Sequence, residues 1–325
     1  MYRTNLARRG LLALGLNMAL PAMALAQDAY PSRPVTVIVP YAAGGGADTL
    51  ARIVFGKLSG DLGQQFLIEN RPGGGGTVAA RAVARAEPDG YTILHDATGF
   101  SINPSLFAKL PYDPAKDFQP VFLVGTLPLI LLAGPSTAVK NVPDVIALAK
   151  SRPEGVDWAS AGKGSLQHLG LQLFSAMADV PVTHIPYKGG GPALTDLLGG
   201  HVDFYLANMA SAASYLEAGS LRGIAQTGAG QLAGFPDLPP VSDTLPGFEA
   251  YEWNGIFVPA GTPAAVVERL NQGLNAVIQD PDVMAKLATL SVQARPNTPA
   301  EFGTFVSAET ARWAKVIHDA GISPE

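Results

Sequence analysis

The sequence predicts an α/β fold with largely parallel sheets, arranged as two lobes. Three observations lead there. Short β-branched strands alternate with amphipathic helices along the chain. A strand–glycine–helix junction occurs three times, and ligands of open α/β sheets bind at such places. The chain has 325 residues, more than one hydrophobic core usually serves, and no long low-complexity linker divides it. The 27 prolines and 36 glycines are spread along it as punctuation. The expected arrangement is therefore a chain that crosses between its lobes more than once.

The first 26 residues read as a secretory leader. Arg3, Arg8 and Arg9 make a positive start, Leu11 to Leu20 is an apolar run, and Ala24-Leu25-Ala26 is an A-x-A-like cleavage site. The run is too short to span a bilayer and is followed by Pro21. Cleavage after Ala26 and a periplasmic address are expected, through ordinary secretion more than twin-arginine export. With no cysteine in the chain there is no disulfide framework and no thiolate metal site. The chain has 22 basic and 27 acidic residues; without a leader holding three arginines and no acid, 19 remain against 27, a net charge of −8. That acidity argues against nucleic acid and anionic membranes as partners.

Val35 to Val39 is a β-branched strand bounded by prolines. Pro40-Tyr41-Ala42-Ala43-Gly44-Gly45-Gly46-Ala47-Asp48 follows, and then a helix over 47–60, with Leu50, Ile53 and Val54 on one face. Glycines let the backbone approach a ligand, and the N–H groups at a helix start favour an anion. A strand over 65–70, a helix over 76–86 and a strand over 91–95 come next. Residues 118–133 hold two extended runs, the second buried. A helix over 142–151 leads to a strand over 156–160.

The second junction, Ser160-Ala161-Gly162-Lys163-Gly164-Ser165, opens a helix over 166–177. A strand over 182–186 meets the third, Pro186-Tyr187-Lys188-Gly189-Gly190-Gly191, before a helix over 193–198. Strands follow at 202–206, 221–226 and 255–258. The C-terminal part is mostly helical, with Pro263, Pro281 and Pro299 near helix starts. Gly44→Val is expected to abolish binding by blocking backbone approach.

Catalytic patterns fail. Gly99-Phe100-Ser101-Ile102-Asn103 lacks the last glycine of a nucleophile elbow. Gly162-Lys163-Gly164-Ser165 lacks the phosphate-loop spacing. Gly228 to Ala233 matches G-x-G-x-x-A, but Gly234-Phe235-Pro236 stands where its helix should run. His95, His168, His184, His201 and His318 show no metal-binding spacing, and each reads as a structural histidine. His168 is singled out because it lies in the first turn after the second junction. Asp48 reads first as an acid satisfying helix-start donors. Lys163 and Lys188 are the strong cations of the three loops. Gly73 to Gly76 reads as a turn, and Trp158, Trp253 and Trp313 as packing. No enzyme activity, cofactor or metal is expected.

Taken in order, these segments resemble the Bug (TctC-like) family, the extracytoplasmic solute receptors of tripartite tricarboxylate transport systems. The carrying segments include Tyr30-Pro31-Ser32-Arg33-Pro34-Val35, Val39 to Asp48, Glu69-Asn70-Arg71-Pro72-Gly73 and Asn103-Pro104-Ser105-Leu106. The second and third junctions, Gly200-His201-Val202-Asp203-Phe204, Gly219-Ser220-Leu221-Arg222 and Pro259-Ala260-Gly261-Thr262-Pro263 complete the set.

The resemblance implies a type II-like, two-lobed periplasmic-binding-protein fold, a Venus flytrap with a mainly parallel sheet in each lobe. Lobe 1 would hold residues 27–127 and 249–325, and lobe 2 residues 128–248, with the second crossing between 228 and 251. It implies a monomer that closes on a small carboxylate and presents it to a membrane permease. The carboxylate would be held by backbone amides, at Tyr41, Ala43, Gly44, Gly45 and Asp48 in the first loop. Ala161, Gly162, Ser165 and His168 match in the second loop, Tyr187 and Lys188 in the third, with Asn208, Thr98 and Asn103 beside them. The family often has phenylalanine and proline where this chain has Tyr41, Ala42 and Ala43, so its pocket is expected to be roomier. The alternatives are a secreted α/β hydrolase or transferase with an atypical site, and a receptor feeding a two-component sensor.

Overall fold

A computed structural model describes Met1, residues 30–228, Leu232 and residues 235–319 of the chain. The expected leader beyond Met1, and most of Gly228 to Ala233, lie outside the described residues. In chain order the elements are β1 (Val35–Val39), α1 (Gly46–Leu62), β2 (Phe66–Asn70), α2 (Thr77–Ala84), β3 (Thr92–Ala97) and α3 (Gly99–Leu106). Then come β4 (Phe118–Ala133), α4 (Val142–Ser151), β5 (Val156–Ser160), α5 (Leu166–Ala178), β6 (Val182–Pro186) and α6 (Gly190–Leu198). The chain continues with β7 (Phe204–Asn208), α7 (Met209–Glu217), β8 (Arg222–Gln226), β9 (Tyr251–Pro259), α8 (Ala264–Gln279), α9 (Pro281–Thr289) and α10 (Pro299–Asp319).

The strands run in the order β2-β1-β3-β9-β4-β7-β5-β6, with β8 paired to β4. β4 is the common member. Its residues 118–128 pair with β9, and its residues 129–133 pair with β7 and β8. The outer ladders, β1 with β2 and β3 and β5 with β6 and β7, are parallel, as helical crossovers require. The ladders that β4 and β9 make are antiparallel. The expectation of mainly parallel sheets therefore holds for the outer strands only, because β4 and β9 each enter against the direction of their neighbours. The two extended runs expected over 118–133 are one strand of 16 residues. A Cβ at Gly125 would lie 2.7 Å from Val292 and 2.8 Å from the Gln293 carbonyl, so the residue must be small for that segment to dock on β4.

Each half has its own core. Leu50, Val54 and Leu58 of α1 pack with Leu270, Leu274 and Val277 of α8 over β1. On the other side Trp158, Phe174, Phe204 and Leu206 share a core with Trp313 of α10. Each large side chain so buried contributes about 1.5–3 kcal/mol. All three tryptophans are fully buried packing residues. Three helices away from the cavity, α4, α9 and α10, are capped by side chains. Asn141 accepts from the Asp144 N–H at α4 (2.8 Å), and Asp280 from the Val283 N–H at α9 (3.2 Å). Thr298 and Glu301 exchange hydrogen bonds at the start of α10, a capping box.

Candidate functional site

Five helices begin around one small cavity. Gly46 and Ala47 of α1, Gly99 of α3, Leu166 and Gln167 of α5 and Gly190 of α6 line it, with Asn208, the residue that caps α7. Tyr41, Gly45, Ala97, Thr98, Ala161, Tyr205 and Glu252 complete the wall. Chain topology produces this convergence: β1, β3, β5, β6 and β7 each lead into one of these helices at its C-terminal end. The first N–H groups of a helix have no partner within it. Ser165 satisfies one at α5 and Asn208 one at α7, whereas Gly45, Thr98 and Gly189 make no side-chain cap bond for α1, α3 and α6. No Lys, Arg or His is among the lining residues.

The halves meet over this cavity through backbone. The Ala42 N–H donates to the Lys188 carbonyl at 2.9 Å. A Cβ at Gly45 would lie 3.3 Å from the Gly190 nitrogen, and one at Gly191 would lie 2.6 Å from the Ala43 carbonyl. A Cβ at Gly75 would overlap the Lys163 carbonyl. Glycine at these places lets main chain touch main chain. Beside the inner cavity lies an outer recess lined by Gly73 to Gly76, Gly162, Lys163, Tyr187 and Lys188; Tyr41 and Ala161 border both.

Of the residues singled out from sequence, Tyr41, Gly45, Thr98, Ala161 and Asn208 line the inner cavity. Gly162, Tyr187 and Lys188 line the outer recess. Ala43 stands at the contact with Gly191. Asp48 accepts from the Gly44 N–H (3.0 Å), Arg52 (3.0 Å) and Asn70 (3.0 Å), and so fixes the loop from behind. Burial opposes its charge, but these donors outweigh that and hold its carboxyl below the usual range. Gly44 has φ +80° and no protein atom within 4 Å of where a Cβ would stand, so within the chain its glycine serves the left-handed turn. The tightest approach in this loop is at Gly46, where a Cβ would overlap the Asn208 amide.

Asn103 donates to the Gly75 carbonyl (3.0 Å) and holds the glycine turn. The Ser165 hydroxyl donates to the Gly162 carbonyl (2.7 Å) and accepts from the His168 N–H (3.3 Å). His168 is buried and stacked on His184, ring centroids 4.1 Å apart, and its Nδ1 accepts from the Gly164 N–H (3.4 Å). Burial, then the neighbouring His168 and Lys163, push His184 down to about 3. Among the described residues no cluster of three His, Asp or Glu is placed to hold a metal ion.

Sequence reasoning missed Gln167, Tyr205 and Glu252. Glu252 is 4 % exposed, in a strand whose other residues are nearly all buried. An acid set against Trp253 in so apolar a strand was the available signal. Its carboxylate accepts from Asn208 Nδ2 (3.1 and 3.0 Å), Gln167 Nε2 (2.9 Å) and Asn254 Nδ2 (3.3 Å).

Residues 50–322 match the model of the tripartite tricarboxylate transporter family receptor. The chain is similar in structure to the periplasmic binding protein BugD, with a TM-score of 0.88 and 33% identity over 91% of this chain and all of that one. Rpa4515 of R. palustris, solved with adipate, matches with a TM-score of 0.88 and 36% identity over 91% of this chain and 100% of its own. MatC of Rhodopseudomonas palustris, solved with bound malate, gives 0.85 and 35% over 89% and 100%. Among the described residues no helix is long and apolar enough to cross a membrane.

Proposed function

This chain belongs to the tripartite tricarboxylate transporter receptor family, a family of periplasmic solute receptors, and on that premise we propose that it captures a small carboxylate between two lobes and delivers it to a membrane permease. The convergence of five helix starts on one cavity without a basic side chain carries the reading. Three of those starts make no side-chain cap bond, so their N–H groups are available to an anion's oxygens. Helix dipoles add a favourable field without any residue that titrates. Adipate in Rpa4515 and malate in MatC support a carboxylate as the solute.

The lobes are residues 27–127 with 249–325, and residues 128–248, with Trp313 of α10 packed into the core of the second. Export with cleavage after Ala26 supplies the periplasmic address. Ligand-binding residues are Tyr41, Gly45, Thr98, Ala161 and Asn208 at the inner cavity, with the loops that carry Ala43, Gly44, Gly162, Tyr187 and Lys188 closing over it. Asp48, Asn103, Ser165 and His168 hold those loops in shape. The ligand stabilises the closed form by its differential affinity for it. A hydrolase reading is disfavoured because the Ser165 hydroxyl donates to a carbonyl and not to a base. Native mass spectrometry of gently purified protein, followed by calorimetry with a carboxylate panel, tests the proposal. Binding of a carboxylate supports it; binding of neutral sugars or cations with no carboxylate bound overturns it.

A further inference from the structure

Glu252 is the only charged side chain among the residues that line the inner cavity. Its four hydrogen-bond contacts come from side-chain amides, each donating to a carboxylate oxygen. A protonated carboxyl would set an O–H against one of those N–H groups, so the network suits the ionised form. Burial raises its pKa above the ordinary value, and the Asn208, Asn254 and Gln167 amides offset only part of that rise. Amides satisfy the oxygens without cancelling the charge, and none of these partners is charged. The cavity thus contains helix starts that attract a negative group and a resident negative charge that repels one. Coulomb repulsion is large where water is excluded.

We infer that Glu252 sorts the carboxylates this cavity accepts by the charge of their far end, taking a monocarboxylate whose other end is an amide or ammonium in preference to a dicarboxylate of the same length. The inference rests on the carboxylate reading above. One carboxylate lies at the helix starts, and the group facing Glu252 is neutral or cationic. Size and shape then matter less than charge within each matched pair.

The test uses the intact chain, stripped of ligand, and calorimetry near neutral pH. The probes are succinate with succinamate, glutarate with glutaramate, adipate with adipamate and terephthalate with 4-carbamoylbenzoate. The corresponding ω-amino acids complete the aliphatic sets. For each length that binds, the monoamide or amino acid is expected to bind at least about tenfold more tightly than the diacid. Glu252→Gln is expected to remove most of that preference while circular dichroism stays unchanged. Diacids binding as tightly as their partners in the wild type overturn the inference and leave the carboxylate reading standing. If none of the probes binds, the inference falls; if no other small carboxylate binds either, the carboxylate reading falls with it. The wild-type ratios decide the matter even if the variant does not fold.

Discussion

Gly46 and Asn208 show how single residues set the site. The Asn208 amide lies against Gly46, its Oδ1 accepting from the Ser211 N–H (3.1 Å) and its Nδ2 donating to Glu252. A methyl group at position 46 must displace that amide. Gly46→Ala is expected to weaken ligand binding by about tenfold or more, since overpacking costs about 1–3 kcal/mol. Calorimetry reads the loss, and an unchanged circular dichroism spectrum separates it from misfolding. At Gly44 the same reasoning gives another result. Any side chain there meets open space but must adopt a left-handed backbone. The glycine run was legible as a site from sequence; which glycine faces which demand was not, because φ and the position of Asn208 are fixed only by the folded chain.

At the scale of elements, the third junction meets the first through main chain. Gly191 lies in α6, and its added Cβ would press on the Ala43 carbonyl across the contact between the loops. Gly191→Ala is expected to hold those loops apart, speed ligand release and raise Kd about tenfold with little change in Tm. Stopped-flow release and calorimetry check it; unchanged release would free this contact from any role in closure. Most elements were legible because their apolar periods are clear, as in β1, β5 and α4. α3 was not, since Gly99 and Pro104 stand among its eight residues and read as loop. α7 begins with Met209-Ala-Ser-Ala-Ala-Ser, which has no apolar stripe to reveal it. β4 was divided in two because Gly125 looks like punctuation, although its pairing with β9 continues past it to Pro128. Glu252 and Gln167 escaped because they lie 85 positions apart in the chain and meet only after folding.

Over the whole molecule, two buried groups in β3 give stability opposite dependences on pH. His95 is pushed down to about 4 by burial, against 6.5 ordinarily. Its contribution is present above pH 6.5 and is lost as pH falls toward about 4. Asp96 is pushed up to about 7 by burial, with the Ala97 N–H and the Tyr41 hydroxyl opposing. Its contribution is present below its ordinary 3.8 and is lost as pH rises through about 7. Asp96→Asn keeps an acceptor for both donors and removes the cost of the charge. The variant is expected to raise Tm at about pH 8 and leave it nearly unchanged at about pH 4. Thermal melts at the two values check this, and equal shifts at both would disconnect the effect from ionisation.

The uncapped helix starts around the cavity have a consequence for how such a receptor changes over generations. Every residue but proline carries a main-chain N–H, so a single side-chain replacement other than proline leaves these donors in place, and reagents that block lysine or arginine find nothing to modify in the cavity wall. Replacements there alter which anion fits while the capacity to hold one persists. New preferences can therefore arise by single steps while the main-chain donors remain.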